Sequence, residues 1–185
     1  MRFRKWIGHR RLRAFRVPVY IHWSVFVAVA LMALLSWDSP IHAAVTITSF
    51  FAIMVIHELG HAWIARRRHY QVYAIRLAML RGRCEHEAPE YEWDDVAIAW
   101  GGVLAQFVVA VPMFVLAAVT TPQMLGAGEI AVQMLSTVSI GIALFNLIPA
   151  PGFDGEKTWR VFPLARDWWR SRRATKRMLS KWTRR

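Results

Sequence analysis

The chain has little cysteine, few acidic side chains and hardly any charge inside its long apolar runs. Its 185 residues include one cysteine, Cys84, which excludes an intramolecular disulfide framework and a zinc site built from several cysteines. Acidic residues number 12 against 24 Lys and Arg. Hydrophobic residues make up 56% of the chain, more than an ordinary soluble domain carries. This composition favours one membrane domain with short aqueous appendages.

The basic residues are confined to three segments. Seven lie in 1–16, six in 66–83 and eleven in 157–185, which accounts for all 24. Because cytoplasmic segments of membrane proteins are enriched in Lys and Arg, we expect a multi-pass protein with both termini in the cytoplasm. The first apolar run follows a basic leader and has no small-residue cleavage site, so we expect a retained helix and not a signal peptide. Nucleic-acid binding is not expected, since no motif or soluble fold presents the charge.

Four apolar runs are each long enough to cross roughly 30 Å of hydrocarbon. The predicted spans lie near 19–37, 41–65, 96–120 and 130–148. Backbone groups in lipid must be hydrogen-bonded internally, which makes these runs helices. The predicted fold class is therefore an all-α polytopic membrane protein with about four transmembrane helices, a short cytoplasmic loop or hairpin and basic cytoplasmic termini.

The same patterns divide the chain into three parts. We predict a basic cytoplasmic leader at 1–18, a membrane-embedded core at 19–155 and a basic, Trp-containing tail at 156–185. The leader and tail interleave Trp with Lys and Arg, which suggests that they lie on the anionic surface of the bilayer. Inside the core, Val72–Leu77 and 83–87 flank Arg81-Gly82 as a plausible hairpin, although 72–77 is also apolar enough for an interfacial helix.

The second apolar run contains the pattern His57-Glu58-Leu59-Gly60-His61. Two imidazoles and a carboxylate are costly in hydrocarbon, so they indicate a functional site. Positions i and i+4 share a helix face, which allows His57 and His61 to bind one Zn²⁺. Glu58 is placed to act as the general base that takes a proton from water. A buried polar helix face that bonds to other helices is the alternative.

A second polar segment follows the fourth apolar run. Residues 146–155 read Asn-Leu-Ile-Pro-Ala-Pro-Gly-Phe-Asp-Gly, and their prolines and glycines end the helix. In the predicted topology the second and fourth helices both end on the inside, so this segment meets the histidines at one depth. Catalytic zinc usually has three protein ligands, and Asp154 supplies the third. A helix cap or turn residue is the alternative role for Asp154.

These two segments together resemble the site-2 protease family of intramembrane zinc metalloproteases. The family pairs His-Glu-x-x-His with a later Asn-x-x-Pro and Leu-Asp-Gly; here they are 57–61, 146–149 and 153–155, with Phe153 in place of Leu. The resemblance runs from about residue 17 to 165. It implies that Asn146 positions substrate or stabilises the oxyanion, with a structural amide as the alternative. Two departures are Gln106, where the family often has asparagine, and Arg81-Gly82-Arg83, where it often has Gly-Gly.

The resemblance implies an intramembrane zinc metalloendopeptidase with one Zn²⁺ per chain. Its substrates would be transmembrane segments of other membrane proteins, and its location the inner membrane of a prokaryotic cell. An inactive zinc-binding scaffold that sequesters a partner helix is the main alternative, but a scaffold does not need Glu58. A metal transporter or channel is a further alternative, disfavoured because the first and third spans carry so few polar residues.

Overall fold

The computed structural model describes residues 6–14, 17–35, 39–79 and 82–182, and most of them are helical. The helices are α1 Ser24–Leu35, α2 Pro40–Arg67, α3 Glu92–Val119, α4 Pro122–Leu125, α5 Gly128–Gln133, α6 Ser139–Asn146, α7 Gly155–Thr158 and α8 Val161–Trp182. A π-helical turn, Met134–Val138, joins α5 to α6. The strands are β1 Trp6–Ala14, β2 Val17–His22, β3 Val72–Leu77 and β4 Gly82–His86.

Three helical segments of the described residues are long and apolar enough to cross a membrane: α2, α3 and the continuous stretch Gly128–Asn146. They correspond to the predicted spans at 41–65, 96–120 and 130–148 and support an integral membrane protein. The predicted span at 19–37 is not confirmed. Its helix, α1, has 12 residues and is therefore about 18 Å long, shorter than the hydrocarbon core.

A four-stranded sheet, in the order β1-β2-β3-β4, accompanies the helices. The β1–β2 and β3–β4 pairs are antiparallel, whereas β2 and β3 are parallel. A parallel pair needs a crossover connection, and α1 and α2 provide it here. The β3–β4 pair confirms the predicted hairpin, so the interfacial helix considered for 72–77 is wrong. Residues 80 and 81, at its turn, lie outside the described part of the chain.

The sheet corrects the all-α fold class at the start of the chain. Residues assigned to the leader form β1, and the first residues of the predicted first span form β2. Hydrophobic periodicity cannot separate a short apolar strand from a helix segment, so the sequence alone predicts one helix for the whole run. Hydrogen bonding to β1 on one side and β3 on the other decides for the strand.

The sheet packs against α2, the helix that carries both histidines. Val17 of β2 and Ile75 and Leu77 of β3 are buried together with Met54 and Ala62 of α2. Burying these apolar side chains anchors the sheet on the helix, since burial contributes roughly 25 cal/mol per Å² of apolar surface. β3 and β4 are thereby held beside the second half of α2.

The longest helices, α2 and α3, cross at two glycines. A Cβ on Gly101 would lie 2.6 Å from the carbonyl oxygen of Gly60, and a Cβ on Gly60 would collide with the carbonyl of Gly101. Side chains of any size would push the helices apart there. Small residues allow such close helix packing, and Gly101 thereby brings α3 against the histidine-bearing face of α2.

Candidate metal centre and active site

One turn of α2 carries both histidines and the glutamate in buried positions. His57, Glu58 and His61 are 7%, 4% and 7% exposed. Helical geometry brings the two imidazoles together at i and i+4, with ring centroids 4.7 Å apart and planes nearly perpendicular. The local sequence therefore suffices to pair the histidines, but the third group has to come from elsewhere in the fold.

Asp154 comes from the irregular segment between α6 and α7. The segment folds tightly at Gly155, where a Cβ would collide with the carbonyl oxygens of Leu147 and Ile148. Three residues after Asp154, the Lys157 ammonium lies 2.7 Å from the Asp95 carboxylate at the start of α3. The tight turn and this ion pair hold the Asp154 carboxylate towards α2.

The two imidazoles and the carboxylate converge on one point. Asp154 Oδ2 lies 2.9 Å from His57 Nε2 and 3.3 Å from His61 Nε2, and the two Nε2 atoms are 3.1 Å apart. These three residues form the one group of His, Cys, Asp or Glu side chains in the described ranges that is arranged to hold a metal ion. The structure thus brings together the three ligands predicted from segments 93 or more residues apart.

The hydrogen-bond partners of the two Nδ1 atoms indicate the tautomer of each imidazole ring. His61 Nδ1 lies 2.7 Å from the carbonyl oxygen of Ile98, and His57 Nδ1 lies 2.8 Å from Gln106 Oε1. Both partners are acceptors, so both Nδ1 atoms carry the proton and both Nε2 atoms of the neutral rings present lone pairs. Two lone pairs facing a carboxylate oxygen repel one another unless a cation lies among them.

A zinc ion fits this donor set. Two imidazole nitrogens and one carboxylate oxygen are a usual ligand set for catalytic zinc. In tetrahedral coordination at about 2.0–2.1 Å, ligand atoms lie about 3.3 Å from one another, close to the separations seen here.

Gly102 of α3 leaves room beside the same nitrogens. A Cβ there would lie 2.5 Å from His61 Nε2 and 2.8 Å from His57 Nε2. Any side chain at Gly102 would therefore press on the ligand atoms of both rings.

Glu58 lies between the histidines in sequence and under β4 in space. The backbone N–H of Cys84 donates to its carboxylate, and a Cβ on Gly82 would collide with that carboxylate. Its second oxygen, Oε2, is buried without a hydrogen-bond partner among the described residues. A buried acceptor left unpaired costs about 1–3 kcal/mol. Such an oxygen is suited to accept a proton or a hydrogen bond from a water or substrate.

Asp154 is the least buried member of the cluster. Its side chain is 24% exposed, more than those of the histidines. The cluster is therefore closed on the α2 side and more open on the Asp154 side.

Asn146 is the remaining predicted site residue. It is the last residue of α6 and is half-buried. In the described part of the chain its side chain makes no hydrogen bond to the two histidines, Glu58 or Asp154. Its catalytic role stays a prediction.

Gln106 is the site partner that the sequence analysis missed. This glutamine departs from the family pattern, and the structure places its amide against His57 Nδ1. The signal was present, because Gln106 is the only amide in the apolar run 96–120. A polar side chain in such a run is costly and marks a specific contact.

Comparison with known proteins finds zinc metalloproteases among the proteins that this chain resembles. No family model matches the chain. It is 28% identical over 154 residues to a Synechocystis protein named "Putative zinc metalloprotease", covering 76% of this chain and 40% of that protein. It is 24% identical over 153 residues to a zinc metalloprotease of Methanocaldococcus jannaschii, covering 82% of this chain and 44% of that protein. The chain thus spans less than half the length of these relatives.

The solved structure of a site-2 protease from Methanocaldococcus jannaschii has the same fold. It superimposes with a TM-score of 0.69 at 22% identity, over 85% of this chain and 71% of that one. Apolar helices long enough to cross a membrane, a small sheet and a His-His-Asp cluster that could hold a metal ion are features expected of a membrane-embedded metalloprotein. Within that class, the two motifs, the two relatives and the fold confirm the resemblance to the site-2 protease family of zinc metalloproteases.

Proposed function

We propose that the chain is an intramembrane zinc metalloendopeptidase that hydrolyses peptide bonds in or near transmembrane segments of membrane proteins. The observation that carries this proposal is the convergence of His57, His61 and Asp154 beside Glu58, whose Oε2 is buried and unpaired. One Zn²⁺ per chain would be held by the two Nε2 atoms and the Asp154 carboxylate. When bound there, zinc supplies Lewis-acid polarisation of the scissile carbonyl and lowers the pKa of water.

Glu58 carries out the two proton transfers of the proposed reaction. Glu58 Oε2 accepts a proton from the attacking water as the oxygen adds to the carbonyl carbon. The same oxygen returns a proton to the amide nitrogen as the C–N bond breaks, which leaves a carboxylate and an amine. Cys84 N–H, bonded to the glutamate, keeps the carboxylate aimed during both transfers. A group that exchanges protons this way contributes typically about 10²–10⁴-fold to the rate.

An extended substrate can reach this carboxylate along β4. A transmembrane helix has its amides bonded internally, so the segment to be cut has to unwind first. β4 is a terminal strand of the described sheet, and Gly82 and Cys84 of this strand lie directly against Glu58. Pairing of the unwound segment with a sheet edge would hold its backbone extended near the cluster. Asn146 is proposed to position the substrate or its oxyanion.

The surroundings we propose are the inner membrane of a prokaryotic cell, with both termini in the cytoplasm. The carboxy-terminal helix, α8, carries exposed Trp168 and Trp169, with Arg172 4.2 Å over the Trp168 ring and Arg173 5.8 Å from the Trp169 ring centroid. Exposed aromatic rings flanked by guanidinium groups suit an anionic leaflet, where each basic residue contributes about 1 kcal/mol. Backbone hydrogen exchange of Val161–Trp182 should be slower in anionic than in zwitterionic nanodiscs; equal rates would contradict this placement.

The proposed activity is tested by Glu58→Gln, which is nearly isosteric and removes the base. We expect the purified variant to bind zinc as the original chain does and to lose at least about 10²-fold in cleavage of a co-reconstituted transmembrane substrate. His57→Ala and Asp154→Ala should lose both zinc and cleavage. Cleavage by Glu58→Gln at the original rate would refute the mechanism. Zinc binding by the original chain without cleavage of any substrate trapped by Glu58→Gln would favour the inactive scaffold.

A further inference from the structure

Gln106 is buried more completely than either zinc-binding histidine. It is 1% exposed and lies in the middle of α3, a helix otherwise apolar over this stretch. Burying an amide without compensating hydrogen bonds costs several kcal/mol in an apolar environment. Ordinary helix packing does not call for such a residue, so its contacts have to explain it.

Both ends of the Gln106 amide are engaged. Its Oε1 lies 2.8 Å from His57 Nδ1, and its Nε2 donates to the carbonyl oxygen of Ser139 at 3.4 Å. The Ser139 carbonyl only accepts hydrogen bonds, so the NH₂ group has to face it. The oxygen is then turned to His57, and Nδ1 of that ring has to carry the proton.

We infer that Gln106 is a positioning residue for the metal site: it fixes the tautomer and ring orientation of His57, so that Nε2 presents its lone pair to zinc. The inference rests on zinc binding at the proposed site, but it does not depend on proteolysis. The Ile98 carbonyl, a backbone group, does the same for His61. One ligand is therefore oriented by the fold itself and the other by a single exchangeable side chain.

The hydrogen bond from Gln106 to the Ser139 carbonyl gives this residue a second role in positioning the metal site. Ser139 is the first residue of α6, directly after the π-helical turn Met134–Val138. The chain runs from α6 through the irregular segment to Asp154. The Gln106 amide thus connects His57, on α2, to α6, the helix that leads to Asp154.

The test is zinc affinity, measured with zinc alone by competition against a chelator, on the full chain in detergent. Gln106→Met keeps the length and volume of the side chain and removes both hydrogen bonds. We expect its zinc affinity to fall roughly 10–100-fold, as for other partners of metal-bound histidines. Gln106→Glu keeps an acceptor at Nδ1 and should bind zinc within about 3-fold of the original chain, because carboxylate–histidine–zinc arrangements are common.

Ser136→Ala is the matched control. Ser136 is 2% exposed and its hydroxyl bonds the Val132 carbonyl, away from the histidines. Its loss should leave zinc affinity unchanged. If Gln106→Met does not fold, Gln106→Leu, which also removes both hydrogen bonds, takes its place under the same criteria.

Two results would overturn the inference. Zinc affinity of folded Gln106→Met within about 2-fold of the original would show that the hydrogen bond does not matter. Equal losses in Gln106→Met and Gln106→Glu would show that packing, not the acceptor, is required. Failure of the original chain to bind zinc would instead refute the proposed metal site, so the two failures are distinguishable.

Discussion

Replacing Gly102 with alanine adds one methyl group at the point where α3 passes the rings of His57 and His61. The new Cβ would lie 2.5 Å from His61 Nε2, 2.7 Å from His57 Cε1 and 2.8 Å from His57 Nε2. Atoms of this kind prefer a separation of about 3.5 Å. The nearest ring atom therefore has to retreat by about 1 Å, or α3 has to move away by a similar distance.

Either movement costs free energy. The rings are held from behind, His61 by the Ile98 carbonyl and His57 by Gln106, and retreat strains or breaks these bonds. α3 is held by the neighbouring glycine crossing, and moving it away would open that contact. Losing one such hydrogen bond costs about 10–100-fold in metal affinity. Because both rings are pressed, we expect zinc affinity to fall at least about 100-fold.

The fold should survive the change. Overpacking by one methyl group costs about 1–3 kcal/mol, and replacing a helical glycine with alanine returns about 0.5–1 kcal/mol. Gly141→Ala is the control, because a Cβ at this glycine of α6 meets nothing within 4 Å. It should gain the helix stabilisation and leave zinc binding unchanged.

The assay is zinc per chain and zinc affinity by chelator competition, with thermal unfolding to show that each variant is folded. We expect folded Gly102→Ala without stoichiometric zinc and Gly141→Ala with it. If Gly102→Ala bound zinc as tightly as the original chain, the metal would not lie among the Nε2 atoms that this methyl group faces. The assignment of the site would then be wrong.

Two further predictions concern the surroundings of the site. Lys157→Asp should place two negative charges side by side at Asp95, loosen the turn at Asp154 and lower zinc affinity several-fold. Adding Asp95→Lys in the same chain should restore the affinity. No recovery would show that the ion pair does not position Asp154. Burial raises the pKa of Cys84 to about 12, so the thiol stays protonated and unreactive until the pH approaches that value. Alkylation of this single cysteine in the folded chain should be far slower at pH 8–9 than in a peptide, whose thiol has a pKa of about 8.5. Equal rates would contradict its partly buried position.

The helices that carry the site were predictable because their signals are local. Each long apolar run determines a helix through the need to satisfy backbone groups in lipid, and three of the four runs have such a helix. The histidine pair follows from the i, i+4 geometry of one helix. The hairpin at 72–86 was predictable from two short segments around a glycine.

The sheet was only partly predictable because strand pairing is not local. β2 looks like the start of a helix in sequence, and its partner β3 lies about 50 residues later, beyond two helices. β1 lies in a basic segment with no clear alternation. The role of Gln106 was not predictable for the same reason. It depends on hydrogen bonds to His57 on one helix and to Ser139 on another.

By itself, the sequence predicted the metal-ligand types, the general base, the apolar helices and the separation of charged segments from apolar runs, because each prediction depends on residue chemistry or on a short periodic pattern. Only the tertiary structure decided that Asp154 meets the histidines at about 3 Å. It also decided that glycines let α3 approach α2, and that Ile98 and Gln106 fix the protons of the two rings. Those features depend on contacts between distant segments, which packing establishes and no local pattern encodes.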